Sequence, residues 1–196
     1  MVNVPNSDGR INLSKATCLA VDDSAMALQV LSQVLSGFGI GRLLKSVTAS
    51  DAQRIARENA LDLIVIDGHM PNMDGYEFIQ WLRREADNEN RFVPILLLTG
   101  ETRLSHVFRG RDCGANFVVA KPISPKVLLD RIYWMARDTR EFIEAETYVG
   151  PDRRFKQEGP PSGVAGRRQN DGSGNVQGPA RDLPMDDRAA VKITID

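Results

Sequence analysis

Four short, mostly apolar runs mark the first 120 residues, and they predict β-strands. They lie at positions 17–21, 61–66, 93–98 and 117–120, and a weaker run covers 42–47. The four runs show no polar alternation, which is typical of strands buried on both faces of a parallel sheet. Between them, apolar residues recur at three- and four-residue spacing, which predicts helices. The first predicted helix begins at Ser24 and ends at Gly37 or Gly39. The other predicted helices cover 49–59, 76–85, 103–113 and 125–144.

This alternation of strands and helices predicts an α/β fold. Five strand–helix units joined by right-handed crossovers give a doubly wound, five-stranded parallel sheet with helices on both faces. Numbered along the chain, its strands take the order 2-1-3-4-5. Ligands of such sheets bind where the strands end, at the carboxyl edge. The residues that directly follow each apolar run are therefore the first candidates for function.

Aspartates follow two of these runs. Asp67 stands directly after the run at 61–66, and Asp22 and Asp23 stand directly after the run at 17–21. Carboxylates brought together repel by about 4 kcal/mol per pair at 4 Å and an effective dielectric near 20. Such a cluster needs a cation or a protonated member, and Mg²⁺ prefers oxygen ligands of this kind. One aspartate alone would be explained as a helix cap, but the three together favour a metal site.

A hydroxyl and an ammonium group follow the two remaining runs. Thr99 ends the run at 93–98, and Lys121 ends the run at 117–120. Pro122 restricts Lys121 to an extended backbone and permits a cis peptide bond between them. Alone, Thr99 would be a turn cap and Lys121 a solvated charge. Beside three carboxylates and a metal, they suit a phosphoryl group, and a carboxylate can itself accept one as an acyl phosphate.

These residues resemble a known family in their order and spacing. The resemblance is to the receiver domains of bacterial two-component response regulators, most of all to the chemotaxis-type, single-domain members, and it covers about residues 15 to 145. It implies a flavodoxin-like receiver fold. The residues that carry the resemblance are Asp22-Asp23, Asp67, Met70-Pro71, Asp74-Gly75, Thr99 and Lys121-Pro122.

The resemblance also implies a role for each site residue. Asp67 would be the phosphoacceptor, Asp23 a direct Mg²⁺ ligand and Asp22 a ligand through water. The backbone carbonyl of His69 would complete the metal site. Thr99 and Lys121 would contact the phosphoryl oxygens, and Thr99 would move toward the phosphate when the domain switches.

The function implied is a stand-alone response regulator. Its partners would be a sensor histidine kinase or phosphotransfer protein, which supplies the phosphoryl group, and a downstream protein target. It would catalyse only its own phosphorylation and dephosphorylation, so it is not expected to be an enzyme acting on other molecules. The alternative is an interaction scaffold of the same fold that does not depend on phosphate. A phosphatase of small phosphoesters is disfavoured, because His69 stands where a second acid would be needed.

One position departs from the pattern of the family. Receivers usually carry an aromatic residue three positions before the lysine, and here that residue is Val118. Phe117 is the nearest aromatic, but neighbouring residues of a strand point to opposite faces. The sequence therefore leaves open whether an aromatic residue takes part in the switch.

The composition is that of an ordinary signalling protein, with 42% hydrophobic residues, 26% charged residues and a formal net charge of -1. This balance gives no sign of nucleic-acid binding. The apolar runs are too short to span a bilayer, so no membrane insertion is expected. The first residues lack the features of a signal peptide. Cys18 and Cys113 are interpreted as small core residues in a reducing compartment, and the predicted location is the cytoplasm.

The chain is predicted to have three parts. Residues 1–14 form an N-terminal extension, residues 15–145 the receiver domain and residues 146–196 a flexible, disordered tail. Residues 150–196 contain seven Gly and five Pro, and their charges nearly cancel, so they cannot bury enough apolar surface to form an output domain. No direct DNA binding is therefore expected. Apolar residues alternate over 191–195, which suggests a strand added to a partner's sheet; a frayed terminus is the alternative.

Overall fold

Each run predicted as a strand forms one in the computed structural model, which describes residues 11–85, 87–100, 109–110, 112–153 and 194–195. The strands are β1 Ile11–Asn12, β2 Thr17–Val21, β3 Arg42–Ser46, β4 Leu63–Asp67, β5 Ile95–Thr99, β6 Phe117–Ala120, β7 Phe142–Ala145, β8 Tyr148–Pro151 and β9 Thr194–Ile195. The helices are α1 Ala25–Gly37, α2 Ala49–Glu58, α3 Gly75–Arg84 and α4 Pro125–Ala136, and a 3₁₀ turn covers Glu89–Phe92.

The main sheet has five parallel strands in the order β3-β2-β4-β5-β6. This is the predicted 2-1-3-4-5 order, and the predicted fold class is confirmed. The register aligns the strand ends, because Val21 lies opposite Ile66 and Asp67 lies opposite Leu98. The residues that follow these strands are thus brought to one edge of the sheet.

The central strand β4 is buried on both faces, which explains its lack of polar alternation. Ile64 and Ile66 pack into one core with residues of α2 and α3. Leu63 and Val65 pack into a second core with residues of α1 and α4. All four side chains are at most 1% exposed. Because both faces meet helices, each position of this strand is apolar until the chain leaves the sheet at Asp67.

Side-chain caps begin the helices where the sequence places them. Ser24, Thr48 and Ser124 each accept a backbone N–H bond three residues ahead, at α1, α2 and α4. Asp74 does the same for α3 and forms a reciprocal capping box with Glu77. The predicted start at Ser124, followed by proline in the first turn, is confirmed. These caps satisfy N–H groups that would otherwise lack a partner.

The prediction of a helix running to Glu144 is wrong. Helix α4 ends at Ala136, and β7 and β8 form an antiparallel hairpin instead. The apolar stripe of α4 ends at Met135, and the next positions on that face are the polar Asp138 and Thr139. A longer helix would therefore bury nothing further, whereas Phe142 packs edge to face on Phe92 in the hairpin, with ring centroids 5.0 Å apart. Ordered structure thus continues past residue 145, the predicted end of the domain.

The fourth predicted helix, at 103–113, is described only in part. Residues 109, 110 and 112 are helical, and we call them the Arg109 segment. Gly114 follows with a φ of 99°, so the predicted glycine end is confirmed. Residues 1–10 and 154–193, which carry most of the predicted extension and disordered tail and the first part of the strand predicted over 191–195, lie outside the described residues.

Residues 194 and 195 pair antiparallel with Ile11 and Asn12 of the same chain, so the strand predicted over 191–195 is confirmed for these two. Addition to a partner's sheet stays a prediction.

Cys18 and Cys113 are both buried and unbridged, as predicted. Burial raises the pKa of the Cys113 thiol to about 11. Within the described ranges, no helix combines the length and hydrophobicity needed to cross a bilayer.

Candidate acidic site at the carboxyl edge of the sheet

Three carboxylates meet at the carboxyl edge of β2 and β4. Oxygen atoms of Asp22, Asp23 and Asp67 all lie within 4.8 Å of one another. Asp22 and Asp67 are buried, at 2% and 6% exposure, while Asp23 is exposed. Because the two strands are adjacent and parallel, the residues that end them must converge. The predicted acidic cluster is therefore assembled by the topology of the sheet.

Lys121 supplies the positive charge of the site. Its ammonium nitrogen lies 2.9 Å from Asp22 Oδ2 and 3.0 Å from Asp67 Oδ1. The Lys121–Pro122 peptide bond is cis, the isomer that the sequence permits. Burial by itself lowers the pKa of Lys121, but its hydrogen bonds to Asp22 and Asp67 and their charges outweigh burial and raise the pKa above its usual value. The side chain therefore stays protonated at neutral pH.

The charges and donor atoms of the site fit a hard divalent cation. Three carboxylates face one ammonium group, so negative charge remains in excess where Asp22 and Asp67 are shielded from water. Carboxylate oxygens are the donors that Mg²⁺ prefers, and Mg²⁺ keeps several waters when few carboxylates bind it. Asp22, Asp23 and Asp67 are the residues that would hold it. The ligand role of the His69 carbonyl stays a prediction.

Thr99 ends the next strand, β5, and is 1% exposed. The Tyr76 hydroxyl lies 3.4 Å from Thr99 Oγ1 and donates toward it. Sequence reasoning did not identify this contact of Tyr76 with Thr99. Its position directly after Asp74-Gly75, in the first turn of α3, was the available signal. Since β5 neighbours β4, Thr99 lines the side of the site opposite Asp22, and Tyr76 adjoins the site through its contact with Thr99.

The loop from Asp67 to α3 is held by backbone contacts. The Gly68 N–H donates to the Leu98 carbonyl oxygen at 2.6 Å, and the Gly75 N–H donates to the Gly68 carbonyl oxygen at 3.2 Å. Asn72 has a φ of 69° and turns the chain. A side chain on Gly75 would overlap the Asp67 carbonyl oxygen, so glycine is required there by close approach.

Replacing Gly75 by alanine tests this close approach. The added methyl group must displace the backbone at Asp67, and we expect the free energy of unfolding to fall by about 2 to 3 kcal/mol, the usual cost of overpacking. Chemical denaturation measures this. The control is Gly37→Ala at the end of α1, where a methyl group meets no atom within 4 Å. Equal stability of the two variants would contradict the proposed steric role.

Val118 and Phe117 lie on opposite faces of β6, as predicted. Phe117 packs in the core with α1 and α4, and Val118 packs in the core with α2 and α3. Gly110 of the Arg109 segment lies directly over Val118, because a side chain there would approach Val118 Cγ2 to 2.5 Å. The place of the expected aromatic residue is thus closed by a helical backbone.

Comparison with known proteins gives a consistent result. A family model described as the response regulator receiver domain matches residues 18–133. A protein of Porphyridium aerugineum, named a probable transcriptional regulator ycf27, is 34% identical over 120 residues, which are 61% of this chain and 48% of that protein. The chain spans about half the length of the curated relatives it matches first.

Two solved structures are also similar. The Vibrio cholerae chemotaxis protein CheY4 is 32% identical with a TM-score of 0.57, covering 62% of this chain and 98% of that one. The signal receiver domain of a signal transduction histidine kinase from Syntrophus aciditrophicus is 28% identical with a TM-score of 0.57, covering 67% and 98%. With the family model matching more than half of its length, the chain belongs to the response regulator receiver domain family.

Proposed function

We propose that this protein is a phosphorylation switch that accepts a phosphoryl group on Asp67 and then changes its binding to another protein. One observation carries this proposal: the Asp67 carboxylate stands in a cluster of three carboxylates, and the Lys121 ammonium group lies 3.0 Å from it. Such an arrangement binds a metal and a phosphoryl group together. The family membership supports the same conclusion.

The transfer itself needs little covalent chemistry from the protein. An Asp67 carboxylate oxygen attacks phosphorus, a new O–P bond forms, and the bond to the donor's histidine nitrogen breaks, leaving the imidazole with the electron pair and a proton from solvent. Asp22, Asp23 and Asp67 would hold Mg²⁺, which would supply positive charge to the phosphoryl oxygens. Lys121 shifts from the carboxylates to a phosphoryl oxygen, and Thr99 donates a hydroxyl bond to another. The ends of β5 and β6 place both residues at the same edge of the sheet as Asp67.

The surface beside Asp23 supports a protein as phosphoryl donor, namely a sensor histidine kinase or a phosphotransfer protein. Helix α1 begins there and contains no charged residue. Met26 and Val30, one turn apart, are 78% and 56% exposed. Exposed apolar groups beside a reactive carboxylate suit a partner that must approach Asp67 closely.

The output of the switch is proposed as a contact with a separate protein, in the cytoplasm. A stand-alone regulator of this kind needs no output domain of its own. The absence of direct DNA binding stays a prediction. The chain spans about half the length of relatives that are named as transcriptional regulators. The second candidate, a phosphate-independent scaffold, is favoured by the Gly110–Val118 contact, which leaves no space for the usual aromatic switch.

Intact-mass measurement separates the two candidates. Wild type incubated with Mg²⁺ and acetyl phosphate is expected to gain the mass of one phosphoryl group, and Asp67→Asn to gain none. A chelator is expected to abolish the gain, because the acid cluster then repels the incoming phosphate. Asp130→Asn, a surface aspartate of α4 paired with Lys126, is the matched control and retains it. A wild type without an Asp67-dependent gain, even with its histidine kinase, would favour the scaffold.

A further inference from the structure

Tyr76 lies at a junction between the acidic site and the Arg109 segment. Its side chain is 1% exposed. The ring packs beneath Gly68, where an added methyl group would stand 3.0 Å from Tyr76 Cε2. Its hydroxyl lies 3.4 Å from Thr99 Oγ1. One buried ring thus touches the residue that follows Asp67 and the hydroxyl that ends β5.

Arg109 also contacts this ring. Its guanidinium carbon lies 4.2 Å from the Tyr76 ring centroid, within the range of a cation–π contact. The same guanidinium donates to Asp74 Oδ2 at 2.6 Å. Asp74 also caps α3 through its other oxygen, which accepts the Glu77 N–H at 2.8 Å. The Arg109 segment is therefore fastened to the first turn of α3 through Tyr76 and Asp74.

The route through residue 118 is closed in this protein. Gly110 packs its backbone on Val118, and a larger side chain at either position would have to displace the helical segment. Val118 also has no group that could bond to Thr99. Tyr76 contacts both the Thr99 hydroxyl and the guanidinium of Arg109.

The length of the Tyr76–Thr99 contact makes it sensitive to small movements. Hydroxyl hydrogen bonds are usually 2.5 to 3.0 Å long, and this one is 3.4 Å. A shift of Thr99 by a few tenths of an ångström therefore either tightens the contact or breaks it. The Thr99 hydroxyl can accept from Tyr76 while it donates to a phosphoryl oxygen, so its two bonds are coupled.

We propose that Tyr76 transmits the phosphorylation state from Thr99 to Arg109, in the role that an aromatic residue at position 118 would otherwise fill. The inference rests on the proposed function, because it requires a phosphoryl group at Asp67. When Thr99 bonds to that group, the Tyr76 hydroxyl either moves with Thr99 or loses its hydrogen bond to Thr99. The ring then changes its contact with Arg109, and the Arg109–Asp74 ion pair changes with it.

Hydrogen exchange of the backbone over residues 109–118 tests this relay, with and without Mg²⁺ and acetyl phosphate. Intact mass establishes the phosphorylated fraction of each sample. In wild type, phosphorylation is expected to change the exchange rate of this peptide by about fivefold, the lower end of usual couplings. Tyr76→Phe keeps the ring and removes only the hydroxyl. It is expected to be phosphorylated as wild type, with the exchange response lost.

Two further variants make the result specific. Arg109→Gln removes the cation and the ion pair, and it is also expected to be phosphorylated without the response. Tyr133→Phe, on α4, deletes a hydroxyl that has no hydrogen-bond partner among the described residues, and it is expected to respond as wild type. A full response in phosphorylated Tyr76→Phe or Arg109→Gln would overturn the relay alone. A wild type that gains no phosphoryl group would overturn the proposed function, and the relay with it.

Discussion

Replacing Lys121 by alanine is expected to lower the free energy of unfolding of the metal-free protein by about 2 to 3 kcal/mol, because two buried carboxylates lose their shared cation. Asp22 and Asp67 side chains are 3% and 8% exposed, so water cannot replace the ammonium group well. The Lys121 side chain is itself 30% exposed, which keeps the expected loss below that of a fully buried pair. Denaturant unfolding in the presence of a chelator measures it.

The same variant is expected to lose most of its phosphorylation. Removing one preorganised donor from a reacting oxyanion usually costs about 10²- to 10³-fold in rate, and the initial rate of mass gain with acetyl phosphate reports this. Added Mg²⁺ should restore part of the stability, because it neutralises the same carboxylates, without restoring the rate.

A surface lysine provides the control for Lys121. Lys126 also makes a 2.9 Å ion pair, with Asp130, but its side chain is 82% exposed. Exposed pairs contribute little to stability, so Lys126→Ala should unfold as wild type and be phosphorylated at the same rate. If the two alanine variants behave alike in both measurements, the buried ion-pair network is not what holds the site together.

Replacing Arg83 by methionine is expected to lower the free energy of unfolding by about 3 to 5 kcal/mol, since it leaves several buried acceptors without a donor. Arg83 is fully buried, and burial lowers the pKa of its guanidinium to about 9, still above neutral pH. Its acceptors are carbonyl or amide oxygens from two parts of the chain, at 2.6 to 3.1 Å: Arg91 O, Val93 O, Gly114 O and Asn116 Oδ1.

Arg83 also anchors the hairpin to the sheet. Its guanidinium carbon lies 4.9 Å from the ring centroid of Phe142, in β7. The hairpin lies beyond residues 18–133, where the family model matches. We therefore expect Arg83→Met to loosen the hairpin as well, which faster proteolysis within residues 142–151 would reveal.

Two variants keep this prediction testable. Arg83→Lys retains a charge but not the planar fork of donors, and we expect an intermediate stability that can be measured if the methionine variant does not fold. Arg54→Met is the surface control: Arg54 makes ion pairs of 2.6 and 2.7 Å, yet it is 58% exposed, so little change is expected. Wild-type stability in both Arg83 variants would contradict the anchoring role.

Most of the fold could be predicted because its signals are local. An unbroken apolar run such as residues 63–66 needs helices on both faces of the sheet. Parallel strands place their carboxyl ends at one edge of that sheet. Asp22, Asp67 and Lys121 follow such runs, so the structure brings them together as expected. The caps at Ser24 and Ser124 are equally local.

The errors and omissions concern contacts between distant segments. The hairpin after α4 was predicted as helix up to Glu144 and as flexible tail beyond residue 145, because its strands are stabilised by contacts with Arg83 and Arg91, more than 50 positions earlier. Tyr76 was overlooked because its position directly after Asp74-Gly75 does not by itself indicate a contact with Thr99 or Arg109. Periodicity describes one element at a time and carries no information about its neighbours.

The sequence by itself thus determined the strands, the edge at which Asp67 emerges and the groups that follow the neighbouring strands, because strand periodicity and parallel pairing decide all three. Only the tertiary structure decided how that edge connects to the rest of the molecule. It buried Arg83, closed the space at Val118 with Gly110 and set Tyr76 between Thr99 and Arg109. The physical reason is that close packing depends on the shapes of several segments at once.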